Sequence, residues 1–518
     1  MKNQSVLETD AIAKLERLIE EATRASADGV ARFVEPASGT LQRALSRQHH
    51  LVFGRRGSGK SSLLRKATSD LTVDRRPIAF VDLETFKGHA YPDVLLSVLI
   101  ETFSGFALWL DTAATAPANK TSFWRLFWAK PTRAPFNRAE AKALSVDLKK
   151  AEEELRALLH KEDKIEAEAK TSTKGKLEDK DKASFSLEKT PLKFELGGES
   201  SESVERATEV TEKFVEDKTQ YLLRHILDYQ KLFRRMATLS SGDAYLFLDD
   251  LYHIRRKDQA QVIDYFHRIG KGNGLWIKIG TIRHRTQWYV NGDPPIGAKI
   301  GDDIQEIDLD LTLEKYRNTS AFLSKILDTF FEESGLRRRD VLADGAFDRL
   351  VLASGGVTRD FLGILRRSIN VARDRGDTAR GHKVGVEDVN NAAGGYDSSK
   401  REELQRDAQD ESQALVTEFS NIGEFAKERA NANVFLVDKQ LKDEEMELIE
   451  ELVDLRLVHR VNSGTTVRDR PGKKYAAFML DVSQYTASRK KRDFEIIEFW
   501  RDDAVDSIRR AKLIYKDA

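Results

Sequence analysis

The stretch Gly54-Arg55-Arg56-Gly57-Ser58-Gly59-Lys60-Ser61 combines the residue types needed to hold a string of phosphates. A polyphosphate needs several N–H donors converging on it. A glycine-rich turn that runs into a helix supplies backbone amides and the positive end of the helix dipole. Gly54, Gly57 and Gly59 permit that backbone, Lys60 reaches toward outer phosphates, and the Ser61 hydroxyl can complete the shell of a bound Mg2+. Ser58 lies inside the turn and Ser62 follows on the helix, so both join the candidate nucleotide contacts.

A second constellation is Tyr245-Leu246-Phe247-Leu248-Asp249-Asp250, an apolar run that ends in two carboxylates. Asp249 is suited to holding Mg2+ through water, and Asp250 to orienting or deprotonating an attacking water. Paired acids after a strand also serve as plain helix caps, so the spacing alone leaves both readings open. The third is Gly280-Thr281-Ile282-Arg283, where Thr281 can meet an outer phosphate between the first two motifs. Arg283 can reach nucleotide or a neighbouring subunit, or form a solvated basic loop with His284 and Arg285.

Positioning these groups requires strands that end beside one another. Apolar runs at His50–Phe53, Ile78–Leu83, Tyr245–Leu248, Leu275–Ile279 and Ile304–Leu309, separated by helical stretches, are the pattern of a parallel sheet covered on both faces. About 160 residues lie between the second and third runs, far more than a crossover of about a dozen needs. Within that insertion, over residues 112–240, Leu144, Leu148, Ala151, Leu155 and Leu158 recur at heptad spacing, as do Leu222, Ile226, Tyr229, Phe233 and Met236. An antiparallel helical arm is the natural reading. A polar stretch from Lys170 to Glu205 joins its two helices, and a small hairpin over Ser184 to Glu195 fits inside it. The aromatic cluster Phe123-Trp124-Arg125-Leu126-Phe127-Trp128 reads as buried in the insertion, with a partner site or a membrane-surface foot as the alternatives.

The remaining chain divides as an N-terminal helix in 1–30, a core over 31–310, a helical region over 311–397, and a last domain over 405–518. A charged linker around Ser398 to Asp410 precedes that last domain, whose helix, strand, helix, strand, strand order matches a winged helix ending in a helical tail. Its middle helix carries Asp443, Glu444, Glu445, Glu447, Glu450 and Glu451, which phosphate would repel. Arg468, Arg470, Lys473 and Lys474 around Pro471-Gly472, with Arg489 to Arg492, point the other way and leave DNA contact through the wing open.

Composition bounds the rest. With 518 residues the chain supports two to four domains, and zero cysteines exclude disulfides, thiolate zinc sites and cysteine nucleophiles. Its 85 basic and 85 acidic residues cancel, so nucleic acid must be met by a local patch. The apolar segment Val94–Leu110 is interrupted by Glu101 and falls short of the roughly 20 residues that span a bilayer, so it reads as a core helix. A reducing, cytoplasmic location with no membrane association is expected.

The order of these motifs resembles the AAA+ ATPases, in particular the origin-recognition and initiator-like clade. Ser354-Gly355-Gly356-Val357-Thr358-Arg359-Asp360 is similar to that clade's sensor-2 motif, in which an arginine of a helical lid meets the outer phosphate. Arg359 is the matching residue. Val384-Gly385-Val386-Glu387-Asp388-Val389 resembles the end of such a lid, and Arg32-Phe33-Val34-Glu35-Pro36 stands where the family cradles adenine, which makes Phe33 a base contact. The Asp249-Asp250 pair, in place of the clade's usual Asp-Glu, and Thr281-Ile282-Arg283 are similar to the signal-transducing STAND ATPases. The resemblance implies an α/β fold with a parallel-sheet P-loop NTPase core, a helical lid, an inserted coiled-coil-like arm and a C-terminal winged helix. It also implies ATP and Mg2+ as ligands, slow hydrolysis that resets a switch, and assembly as a homo-oligomer or with a protein partner through the arm. Microbial regulation or phage defence fits such a switch. A DNA-binding loader and a nucleotide-binding scaffold without hydrolysis are the rival readings.

Overall fold

The computed structural model describes residues 6–23, 32–73, 76–115, 136–161, 199–239, 243–375, 382–407, 412–441, 443–486, 493–501 and 506–516. The aromatic cluster at 123–128, the hairpin at 184–195 and the basic run at 489–492 lie outside them. In chain order the helices of the first half are α1 (Asp10–Thr23), α2 (Thr40–Leu45), α3 (Lys60–Val73), α4 (Asp93–Thr115), α5 (Arg138–Leu159), α6 (Glu199–Ala237) and α7 (Arg256–Gly270). They alternate with strands β1 (His50–Phe53), β2 (Ile78–Asp82), β3 (Ala244–Asp249) and β4 (Leu275–Thr281). A small antiparallel pair follows, β5 (Tyr289–Val290) with β6 (Ile296–Gly297), and then β7 (Gln305–Asp308).

The main sheet has the order β2-β3-β4-β1-β7, with every neighbouring pair parallel. Insertion of β4 between β1 and β3 is what assembles the three motifs. Phe53 stands opposite Thr281, Leu248 opposite Ile279 and Asp82 opposite Asp249. The residues after these strands therefore line one C-terminal edge, the side on which open α/β sheets bind ligands. Both faces are covered because the central strands present apolar residues to each side. Val52, Leu63, Leu64, Phe247 and Ile307 form one layer with α3. Leu51, Phe53, Leu246 and Leu248 form the other with α4, α5, α6 and α7.

The described part of the insertion, read from its heptads as an antiparallel helical arm, packs as a layer on this core. Leu144, Leu148, Leu155, Leu222, Phe233 and Met236 are buried in one cluster with the sheet, because Phe103 and Phe106 of α4 offer them an apolar wall. The helices α5 and α6 are antiparallel, as expected: Arg235 pairs with Glu140 at one end and Lys161 with Asp217 at the other. α4 runs longer than its sequence segment suggested. At 23 residues it is long and apolar enough to cross a membrane, yet it is mostly buried here against β2 and α5.

The second half comprises α8 (Tyr316–Ser334), α9 (Arg338–Val341), α10 (Ala346–Ser354), α11 (Thr358–Arg375) and α12 (Val386–Asp407), then α13 (Ser412–Glu424), β8 (Val434–Asp438), α14 (Asp443–Asp454), β9 (Val458–Val467) and β10 (Arg470–Leu480). The last three strands form an antiparallel sheet of order β8-β10-β9, with β10 between the other two. Two boundaries move. The stretch expected to be a charged linker is helical through Asp407, because Lys400 is drawn into a buried pair with Asp481. The described tail contains 3-10 turns and an extended bridge from Ile514 to Leu436 in place of a helix. The N-terminal α1 is part of the lid: Ile12, Leu15, Leu18 and Ile19 share one core with Phe322, Leu323, Phe361 and Leu365, and that core continues into Leu436, Leu452 and Phe478. By packing, the described residues form two bodies, a sheet body and a lid body that includes α1 and the C-terminal residues Leu513, Ile514 and Tyr515.

Candidate functional site

The chain leaves buried β1 at Gly54, where a Cβ would lie 2.3 Å from Ser58 Oγ and 3.4 Å from Leu309 Cβ. Gly57 has a φ of +87° and Gly59 one of +101°, left-handed values that side chains disfavour. The loop therefore curls tightly and delivers its amides to the start of α3 at Lys60. Lys60 is buried, and its ammonium donates to the Gly54 carbonyl at 2.9 Å. Burial pushes its pKa down, while the Asp250 and Asp249 carboxylates oppose that shift.

Asp249 is buried at the end of β3 and hydrogen-bonds the Ser61 hydroxyl. Burial first, and the Asp250 charge second, raise its pKa to about 6, with Ser61 and Lys60 pulling the other way. A buried carboxylate held against a hydroxyl at the helix start is a donor set that suits a hard cation, since a bound dication would repay the cost of ionising it. Ser61 and Asp249 thus fit the Mg2+ expected from the sequence. Among the described residues no three His, Asp or Glu side chains cluster as a metal site of their own. Asp250 leaves the strand in a left-handed conformation (φ 57°) and lines the open cleft in front of the loop.

Thr281 lies between these motifs in the sheet, and the Gly54 N–H donates to its carbonyl at 3.3 Å. Its side chain is buried and shares a 2.5 Å hydrogen bond with the Thr286 hydroxyl, set back from the residues that face the cleft. Arg283 is held on β7, 3.1 Å from Glu306 and 3.4 Å from Asp308, with its guanidinium over the Phe53 ring.

Two adjoining clefts meet at Gly59, Ser62, Thr358 and Leu362. One is apolar, walled by Phe33, Val34, Leu309, Phe322 and Phe330, with Ser58 at its edge. The other is polar and gathers Arg56, Lys60, Ser61, Asp250 and Arg359. The lid reaches the loop directly: the Arg359 N–H donates to the Gly57 carbonyl at 3.3 Å, and a Cβ on Gly57 would lie 2.8 Å from Arg359 Cβ. Helices α3 and α11 therefore both aim their N-termini into the polar cleft, a site primed for anions.

Sequence reasoning missed Glu84, Tyr252, Leu362 and the end of α1 at Ala22 and Thr23 among the contributors to this cleft. Glu84 follows β2, and only the sheet order makes β2 a neighbour of β3. The Asp82 carboxylate fixes its turn by accepting from the Glu84 N–H at 3.0 Å. The Tyr252 hydroxyl stays protonated, since burial pushes its pKa upward, and its ring lies 5.6 Å from the Lys60 ammonium.

No family model and no curated protein matches the sequence. Solved structures that are similar include the Walker-type ATPase PABY2304 of Pyrococcus abyssi, at 12% identity over 86% of this chain and 93% of that one, with a TM-score of 0.37. The Aeropyrum pernix ORC2 protein is similar in its ADPNP–ADP form (11% identity, 93% of each chain, TM-score 0.34) and in its ADP form (10%, 93% of each, 0.29). Likeness at that level carries no argument about function. The chain's own geometry is that of a mixed α/β fold, in which a five-stranded parallel sheet carries the glycine-rich loop between β1 and α3.

Proposed function

We propose that this chain binds ATP with Mg2+ between its sheet body and its lid body, and hydrolyses it slowly as a conformational switch of the AAA+ initiator-like kind. The observation that carries the reading is the pair of adjoining clefts, apolar at Phe33 and cationic at Lys60 and Arg359, which spans both bodies. The base stacks in the apolar half, and the phosphates lie over the loop amides. Lys60 and Arg359 stabilise charge on the outer phosphate, as electrostatic catalysis of phosphoryl transfer requires. When bound, Mg2+ neutralises phosphate charge, and Ser61 and Asp249 are the residues that hold it. Asp250 orients the attacking water. Thr281 supports the site by holding the β4 end between the loop and Asp249.

The acidic helix α14 supports protein contact over DNA docking for the winged-helix domain. Glu450 and Glu451 lie 3.8 and 4.0 Å from His284 and Arg285 of the sheet body. Two wing cations are already paired, Arg468 with Asp506 and Lys473 with Asp438. DNA contact is then confined to the tip of the wing, and partner or self-assembly is assigned to the inserted helices.

Lys60→Ala should abolish ATP binding or weaken it at least about a hundredfold, whereas Asp250→Asn should bind normally and slow phosphate release about a hundredfold. Unchanged binding and turnover in both variants would overturn the proposal. Normal binding without any phosphate release in the wild type would select the scaffold reading. Tight, salt-dependent duplex binding would select the DNA loader.

A further inference from the structure

The lid helix α11 presents Arg359 to the polar cleft, and the next residue, Asp360, faces the other way into the protein. There the Asp360 carboxylate accepts from the Arg456 guanidinium at 2.8 Å, with the two side chains only 1% and 6% exposed. Arg456 belongs to the C-terminal domain, in the turn between α14 and β9. It holds a φ of +63°, a strained value for a residue with a side chain, so its surroundings impose that conformation. Lys400 of α12 donates to the Arg456 carbonyl at 3.1 Å and to the Asp481 carboxylate at 2.7 Å, and His459 Nε2 meets that carboxylate at 2.8 Å.

The chain of contacts continues to the phosphate loop. The His459 ring lies so close to Gly355 that a Cβ there would be 2.2 Å from it. The Gly355 carbonyl accepts from Arg55 at 3.0 Å, and Arg55 is a buried member of the loop whose N–H and Nε are both held by Asp310 at 2.9 and 3.2 Å. Buried charges gain little net stability over apolar residues of equal volume, but breaking one partner leaves an uncompensated charge. Such pairs are therefore sensitive to geometry, and this set links the C-terminal domain to both the loop wall and the lid wall of the cleft.

We propose that Arg456 is a positioning residue for the phosphate site: through Asp360 it sets Arg359 over the cleft, so that ATP binding and seating of the C-terminal domain on the lid are coupled. The inference rests on the nucleotide reading given above. Coupling is reciprocal. If a seated domain raises affinity for ATP, bound ATP holds the domain seated by the same factor, and couplings of this kind commonly amount to about 5–150-fold.

The test uses the full chain and compares affinities for ATP and ADP, because Arg359 is placed to sense the outer phosphate that ADP lacks. Arg456→Gln should lower ATP affinity about 5–150-fold and leave ADP affinity nearly unchanged. Arg456→Lys should recover part of the loss, and adding Arg456→Gln to Arg359→Ala should cost no more than Arg359→Ala alone. A lower melting temperature with an unchanged ATP-to-ADP ratio would mean that the pair is only structural, and would overturn the proposal. Should Arg456→Gln not fold, the wild type provides the reading. ATP should slow hydrogen exchange at residues 456–461 relative to ADP, and equal exchange would overturn the coupling. A wild type that binds neither nucleotide would instead bring down the nucleotide reading itself.

Discussion

At the scale of single residues, Gly57 and Asp249 carry the sharpest consequences. Gly57 has two reasons to be glycine, its φ of +87° and the approach of Arg359 and Val357, whose side-chain atoms would be 2.8 and 3.1 Å from a Cβ. Left-handed backbone costs an ordinary residue about 1–2 kcal/mol, and about 1.4 kcal/mol is a factor of ten in binding. Gly57→Ala should therefore weaken ATP binding by about tenfold or more. Calorimetric titration checks this, and an unchanged affinity would mean that the lid does not close on the loop. Asp249 has a pKa raised from 3.8 to about 6. Because the folded state holds that proton more tightly than the unfolded chain, Asp249 takes stability away as pH rises from about 4 through about 6. Asp249→Asn should then melt no lower than wild type at pH 8. In the wild type, Mg2+ affinity of the ATP complex should fall as pH drops below about 6, where the proton competes with the metal. The asparagine variant should bind Mg2+ weakly at every pH. A Mg2+ titration of nucleotide binding at pH 5.5 and 7.5 distinguishes these outcomes.

At the scale of elements, the inserted helices show what heptad spacing can and cannot say. The spacing of Leu144, Leu148 and Leu155 reports a helix with one apolar face, and that face exists. It cannot report what covers the face. Here the cover is α4 and the sheet, so the insertion shares its stability with the sheet body. Leu148→Ala should destabilise the protein by about 2–5 kcal/mol, the cost of an apolar cavity, whereas Val146→Ala on the exposed side of the same helix should change stability by less than about 0.5 kcal/mol. Denaturant melts of both variants check the contrast. Equal small effects would mean that α5 folds independently of the core.

At the scale of the whole molecule, the lid, the N-terminal helix and the C-terminal domain share a single apolar core, and the sheet with its inserted helices forms the other body. The two bodies meet at Arg55, Gly57 and the α14 contact. Asp454 sits in that junction, where burial and the nearby Asp310 raise its pKa to about 8 against the pull of Arg55. A raised carboxyl pKa means that stability falls as pH rises from about 4 through about 8. Asp454→Asn should remove that part of the slope and melt higher than wild type at pH 8.5. A parallel pair of melting curves between pH 5 and 8.5 would show the junction to be less buried than it is here.

The sequence by itself determined the local chemistry: the loop from Gly54 to Ser62, the acids Asp249 and Asp250, the strand apolarity, and the acidic character of α14. These are properties of residue type and short spacing, set by backbone freedom, charge and periodicity over a few residues. Only the tertiary structure decided which strand ends adjoin, and with them the place of Glu84 and Tyr252 at the cleft and the set-back position of Thr281. It also decided that α1 joins the lid and that Arg456 reaches Asp360 across 96 residues of chain. Contacts between distant segments depend on which apolar faces find one another, and a face advertises its own hydrophobicity without naming its partner.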